Sequence, residues 1–209
     1  LAEDSTKEAE WMVKNIETLH QMGVAYNEMT VMYRAHYVTR TIEEVLLRSK
    51  IPYTIYSGVQ FFGRMEIKDA LCYLRMIVYK DDLSFRRIAN VPKRNLGVRR
   101  MKFLEEYTEQ HGGTLYDALV KNLEHEIFRG TKAREFIALI EKYASSYAER
   151  TISEVLTSIL HESGYEKLLR TEGAQDRLDN LAELKQAVFS FETSAGEETD
   201  LEAYLKSVA

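Results

Sequence analysis

Apolar residues recur at helical spacing along most of the chain. Trp11, Met12, Ile16 and Leu19 fall on one face of a segment running from Ser5 to Met22, and Gly23 supplies a C-terminal stop. Ile42, Val45 and Leu46 repeat the pattern between Thr39 and Ser49. Two short runs of β-type residues interrupt it: Met29-Thr-Val-Met-Tyr33, and Tyr53-Thr-Ile-Tyr56 between Ile51-Pro52 and Ser57-Gly58. Helix, strand, helix, strand with short connections is the order of a parallel α/β sheet. Two strands do not make a stable sheet alone, so the remaining strands are expected outside this chain.

From Glu66 onward the spacing stays helical. Ile67, Ala70, Leu71, Leu74 and Val78 form one stripe, and Asp81-Asp82 stand where a short helix ending near Ile88 would begin. Further helices are expected at about 98–110, 114–123, 131–148, 151–162, 176–191 and 199–208. Breaks are expected at Gly112-Gly113, Gly130, Gly164, Gly173 and Gly196. Thr151 with Glu154 has capping-box spacing. The expected fold class is mainly α with a small α/β part.

Composition narrows the class without naming a function. The chain of 209 residues is 45% hydrophobic, enough for one sizeable core or two small ones and too apolar for a disordered chain. No apolar run approaches the roughly 18 residues needed to span a bilayer, and no signal peptide is evident, so a soluble chain is expected. It begins at Leu1 and ends inside a helical pattern, which points to an excised segment. The single cysteine, Cys72, lies in an apolar helical stripe and reads as a structural thiol in a reducing compartment. A net charge of −5 means that any basic patch must be local.

One such patch is Asn90-Val-Pro-Lys-Arg-Asn-Leu-Gly97, a tight basic turn directly before the helical spacing of Met101, Leu104 and Tyr107. A helix N-terminus presents unpaired N–H groups and partial positive charge, Gly97 allows close approach, and Lys93, Arg94, Arg99 and Arg100 surround the opening. These residues are consistent with a sequence-independent phosphate clamp. They are equally consistent with an ordinary helical turn whose basic residues are merely solvated.

Three segments, taken together in order and spacing, resemble the C-terminal half of UvrD/PcrA/Rep-type superfamily 1 DNA helicases. Tyr33-Arg-Ala-His-Tyr-Val-Thr-Arg-Thr-Ile-Glu-Glu-Val-Leu46 is similar to the family's Tyr-Arg-x-Asn-Ala-Gln-Ser-Arg-x-Ile-Glu-x-x-Leu. Ile51-Pro-Tyr53 followed by Gly58-Val-Gln-Phe-Phe-Gly-Arg-Met-Glu-Ile-Lys-Asp-Ala-Leu-Cys-Tyr-Leu-Arg75 resembles the segment with Gly-x-x-Phe-Phe-x-Arg-x-Glu-Ile-Lys-Asp, and the turn at 90–97 resembles Asn-x-Pro-x-Arg-Gly-Ile-Gly. A weaker similarity lies at Gln175-Asp-Arg-Leu-Asp-Asn-Leu-Ala-Glu-Leu184.

The resemblance implies a truncated RecA-like parallel-sheet piece, part of the second motor domain, over residues 1–62. A helical accessory subdomain, 2B-like, would follow over 63–209. It implies single-stranded DNA contacts from Arg34, His36 and Arg40, and duplex phosphate contacts from Lys93, Arg94, Asn95, Leu96, Gly97 and Val98. Arginine suits phosphate because its guanidinium donates two parallel hydrogen bonds. His36 stands in place of the family's asparagine and lacks its donor–acceptor pair. Asn95 stands in place of the first glycine, where it tolerates left-handed backbone better than most residues.

The parent would be a cytoplasmic ATP-dependent helicase moving 3′ to 5′, using ATP and magnesium. This chain, with no Gly-x-x-x-x-Gly-Lys-Ser/Thr loop, is not expected to hydrolyse ATP alone or to hold a cofactor. DNA without sequence preference is the implied partner, with no membrane. A second reading makes the helical region a protein-interaction or autoinhibitory module with little DNA binding of its own. A third is a nuclease-helicase relative on the same scaffold.

Other candidates read as structure. Phe61 and Phe62 beside Arg64 are adjacent aromatics at a helix start, expected to pack in a core or hinge, with base stacking as the alternative. Glu43-Glu44, Glu105-Glu106 and Glu197-Glu198 are neighbours pointing apart on a helix, expected to be solvated rather than an acid/base pair. The five histidines show no metal-site spacing, and no metal is expected.

Overall fold

A computed structural model describes residues 5–33, 39–55, 61–194 and 200–208. The chain divides into two compact units, Leu1–Arg64 with Lys206–Ala209, and Met65–Leu205.

In the first unit, α1 (Ser5–Gln21) packs against α2 (Thr39–Arg48). Ala9 and Val13 from α1 meet Val45 and Leu46 from α2 and Ile51 beyond it, with Met12, Ile16, Ile42 and Tyr53 around them. Both helices stop in the same way. Gly23 at φ +100 and Lys50 at φ +54 take the left-handed conformation, and Val24 and Ile51 donate their N–H groups back to the carbonyls of Leu19 and Leu46. These paired bonds satisfy carbonyls that a helix end would otherwise leave open.

Over their described residues, 29–33 and 53–55, the two β-type runs do not become strands, and Tyr56 at the end of the second lies outside the described residues. Among the described residues there is no strand, and the expected RecA-like sheet piece is not seen. Met29 is extended, at φ −107 and ψ 139, yet residues 29–33 and 51–55 join no ladder and instead line an open groove of about 990 Å³. β-branched and aromatic residues favour extended dihedrals, but only a hydrogen-bonded neighbour turns such a segment into a strand. The described chain is mainly helical.

The second unit is built around α3 (Met65–Val78), which packs against α4 (Asp82–Ile88), α7 (Ala133–Ala144), α8 (Ile152–Glu162) and α10 (Gln175–Ser194). Its central position explains why Ile67, Ala70, Tyr73, Leu74, Met76 and Ile77 are all buried, a band wider than the single stripe expected. Two carboxylates on α3 are buried as well, and both are bonded. Glu66 accepts from the Asn180 side chain, while Asp69 accepts from Arg87 and from the Tyr165 hydroxyl.

The remaining helices are α5 (Val98–His111), α6 (Leu115–Lys121), α9 (Tyr165–Thr171) and α11 (Leu201–Ser207). Asp81 caps α4 through the Ser84 N–H, and Thr151 with Glu154 closes the expected capping box on α8. The expected helix at 131–148 is shorter, ending at Ala144 before a 3₁₀ turn at Tyr147–Glu149. α9 was not expected. Gly164 stands at φ +79 as its N-cap, so the glycine that reads as a break also starts the next helix. Cys72 is half-buried, and burial pushes its thiol up.

Candidate nucleic-acid interface

The basic turn connects α4 to α5, and its shape is set by side chains rather than by a repeating ladder. The Asn90 side-chain oxygen accepts from the N–H groups of Arg94 and Leu96, at 2.9 and 3.0 Å. Leu96 is buried and anchors the turn to the core. Asn95 sits at φ +58, in the left-handed region where the family motif carries glycine, and its side-chain nitrogen donates to the Gly130 carbonyl at 3.1 Å. The bond offsets part of the cost of that backbone.

Arg94 faces inward. It is 6% exposed, and its Nη1 donates to the carbonyls of Ile88, Ala89, Val91 and Pro92 at 2.9 to 3.3 Å. Its Nη2 donates to the Tyr73 hydroxyl at 2.8 Å and approaches the Ser163 carbonyl, while the guanidinium lies 4.8 Å from the Phe136 ring centre. Five donors in a flat fork suit this task, which a lysine could not do. The arrangement occupies Arg94 with the backbone of its own turn.

The outward face carries Lys93, Asn95, Val98 and Arg99, all exposed, with Val98 88% accessible. Gly97 caps α5 without a side chain, no acidic residue stands in the first turn, and a Cβ at Gly97 would meet nothing within 4 Å. The helix start therefore keeps its open N–H groups and partial positive charge beside two exposed cations. Arg100 is half-buried, its Nε donating to the Ile127 carbonyl at 2.6 Å. Of the six residues expected at this site, the structure presents Lys93, Asn95 and Val98 outward, half-exposes Gly97, and buries Arg94 and Leu96.

The other expected site is less complete. Arg34 and His36 lie outside the described residues. Arg40 lies in the first turn of α2 and pairs with Glu44 at 3.3 Å, both side chains about one-sixth exposed. Burial raises the Glu44 pKa, and Arg40 and Arg48 oppose that rise.

Glu43, expected to be solvated, is 1% exposed instead. The Phe61 N–H donates to both of its carboxylate oxygens at 3.1 Å and the Tyr53 hydroxyl to one, at 3.0 Å. The face of α2 that carries Thr39, Glu43 and Leu46 turns inward, so Glu43 falls where an apolar residue would normally stand. Burial raises its pKa, while the Phe61 and Tyr53 bonds and the Arg64 charge oppose that rise. Phe61 itself is fully buried and packs edge-on to Phe62, in keeping with a core role.

Sequence reasoning missed the segment that borders the basic turn. Lys132 donates its backbone N–H to the Arg94 carbonyl at 3.0 Å, so residues 127–132 run alongside residues 94–100. The only local signal is the basic spacing Arg129-Gly-Thr-Lys132 before α7, and it says nothing about which distant segment it meets.

A family model described as the UvrD-like helicase C-terminal domain matches residues 1–209. Among curated proteins, the chain is 34% identical over 193 residues to an ATP-dependent DNA helicase PcrA of Staphylococcus epidermidis, covering 88% of this chain and 26% of that protein. It is 33% identical over 211 residues to DNA helicase II of Escherichia coli K12, covering 97% of this chain and 29% of that one. The chain thus spans little more than a quarter of the length of these relatives. With the match running from end to end, the chain belongs to the UvrD-like helicase C-terminal domain family.

Proposed function

We propose that this chain is the part of an ATP-dependent, 3′ to 5′ DNA helicase that grips DNA through its phosphates without reading sequence. In this reading residues 1–62 belong to the second motor domain, and residues 63–209 form the accessory subdomain that holds duplex ahead of the fork. The observation that carries it is the α5 start: an uncapped helix N-terminus with Lys93 and Arg99 exposed beside it and no acid in its first turn. The names of the two relatives support DNA as the partner.

Within the turn the roles divide. Lys93, Gly97 and Val98 meet the phosphate backbone directly, while Arg94, Asn95 and Leu96 act on it by holding the turn in shape. Arg34, His36 and Arg40 are assigned to the single strand. ATP and magnesium belong to the whole helicase. The residues of this chain do not fit an ATP site by themselves, since the phosphate-cradling glycine-lysine loop is missing and no acidic or histidine cluster among the described residues could hold a metal. Among those residues, no helix is long and apolar enough to cross a membrane.

The test is binding of the intact protein to a blunt duplex at several salt concentrations. Phosphate neutralisation releases counterions, so affinity should fall steeply with salt, and Lys93→Glu with Arg99→Glu should weaken it at least tenfold in low salt. Salt-independent binding, or none, would favour the protein-interaction reading.

A further inference from the structure

We propose that Arg129 and Lys132 form a second half of the duplex-binding surface, so that the phosphate backbone is held by two chain segments and not by the 93–99 turn alone. The proposal rests on the reading of that turn as a phosphate site and extends it to residues that the sequence motif does not include.

Three hydrogen bonds fix the second segment beside the first. Lys132 N–H donates to the Arg94 carbonyl, the Asn95 side chain donates to the Gly130 carbonyl, and Arg100 Nε donates to the Ile127 carbonyl. They span the whole of residues 127–132, so Arg129 and Lys132 cannot move away from the turn without breaking them. Both residues are exposed, as are Lys93 and Arg99.

Charge pairing separates these four cations from their neighbours. Arg86 pairs with Glu105, Arg87 with Asp69 and Arg134 with Glu124. Among the described residues no ion pair engages Lys93, Arg99, Arg129 or Lys132. Flanking the second segment, Glu124 is occupied by Arg134, which leaves Glu126 before it and Glu135 after it as the exposed acids without an ion pair among the described residues. A group of unpaired cations held together by the fold of an acidic chain is the electrostatic footprint of a polyanion site. One DNA strand offers a phosphate every 3.4 Å or so along the helix axis, so two adjoining segments can meet successive phosphates.

The experiment measures equilibrium binding of the intact protein, without nucleotide, to a blunt-ended hairpin duplex as salt is varied. Each lost phosphate contact lowers the slope of log affinity against log salt by about 1. Arg129→Ala with Lys132→Ala should therefore lower the slope by about 2, as should Lys93→Ala with Arg99→Ala. Arg134→Ala, a cation of the same region already paired with Glu124, should leave it unchanged. If the 129/132 pair leaves the slope at its starting value while the 93/99 pair flattens it, the second segment is not a DNA contact and the turn reading stands. If neither pair changes the slope, both readings fall. All five positions are exposed, and an unchanged melting midpoint confirms that each variant is folded.

Discussion

Arg40 and Arg94 both stand in segments that resemble family motifs, yet the fold uses them in different ways. Arg40 reaches along its own helix to Glu44, one turn away, in a pair that stays partly accessible. Arg94 is turned into the core of the second unit, where six acceptors surround it. A half-buried helical pair of the first kind contributes at most about 1 kcal/mol, whereas a buried cation that satisfies the Ala89 and Pro92 carbonyls and the Tyr73 hydroxyl at once is worth more than that. The difference teaches that an arginine in a basic turn can serve the shape of the turn itself rather than a ligand outside it.

The sharpest way to break this comparison is Arg94→Ala. Removing the guanidinium leaves the Ala89 and Pro92 carbonyls without their donor and opens a gap beside Tyr73 and Phe136, so the second unit should lose about 3 kcal/mol in urea unfolding. A variant of unchanged stability that had lost duplex affinity would instead make Arg94 a direct ligand. Next in size is Asn95→Ala, which should cost about 2 kcal/mol by combining left-handed strain with loss of the Gly130 bond. Asn95→Gly trades that bond for backbone freedom and should be within about 1 kcal/mol of neutral. Arg40→Ala should cost the first unit no more than about 1 kcal/mol while weakening binding to a single-stranded oligonucleotide, as anisotropy would report.

The smallest expected effect concerns pH and Glu43. Its pKa is raised in the folded chain, so the native state binds its proton more readily than the unfolded state does. Stability from this group is therefore fully present in acid and declines as pH rises from about 4.5 through the raised value. Glu43→Gln should remove that part of the slope when unfolding is followed between pH 4 and 8. An unaltered slope would assign it to other carboxylates such as Glu44.

What could be read from the sequence follows the range of the forces involved. The helices, the Asp81 cap and the Thr151 box depend on residues within one turn of each other, and so they were legible. The two β-type runs have the right dihedral preference but depend on neighbours that the described chain does not supply. Glu43 looked solvated because adjacent carboxylates on a helix usually are, and only packing against Phe61 and Tyr53 decides otherwise. At the basic turn the motif pointed to the left-handed backbone at Asn95, since that is local. The inward course of Arg94 is set mostly by carbonyls two to six positions away, yet the basic residues of the motif do not by themselves say that the guanidinium turns back onto its own backbone, and the arrival of residues 127–132 depends on a contact across 38 positions that no local pattern encodes.

The Asn90 side chain, whose single oxygen receives two turn amides, has a chemical consequence of its own. Hydrolysis of that amide would exchange a nitrogen for an oxygen and leave the accepting atom where it was. The turn would keep its shape, since a carboxylate accepts those hydrogen bonds at least as well. It would also gain a negative charge inside the basic turn. Asn90→Asp is therefore expected to melt as the original does while binding duplex more weakly, an exchange that separates the shape of the turn from its charge.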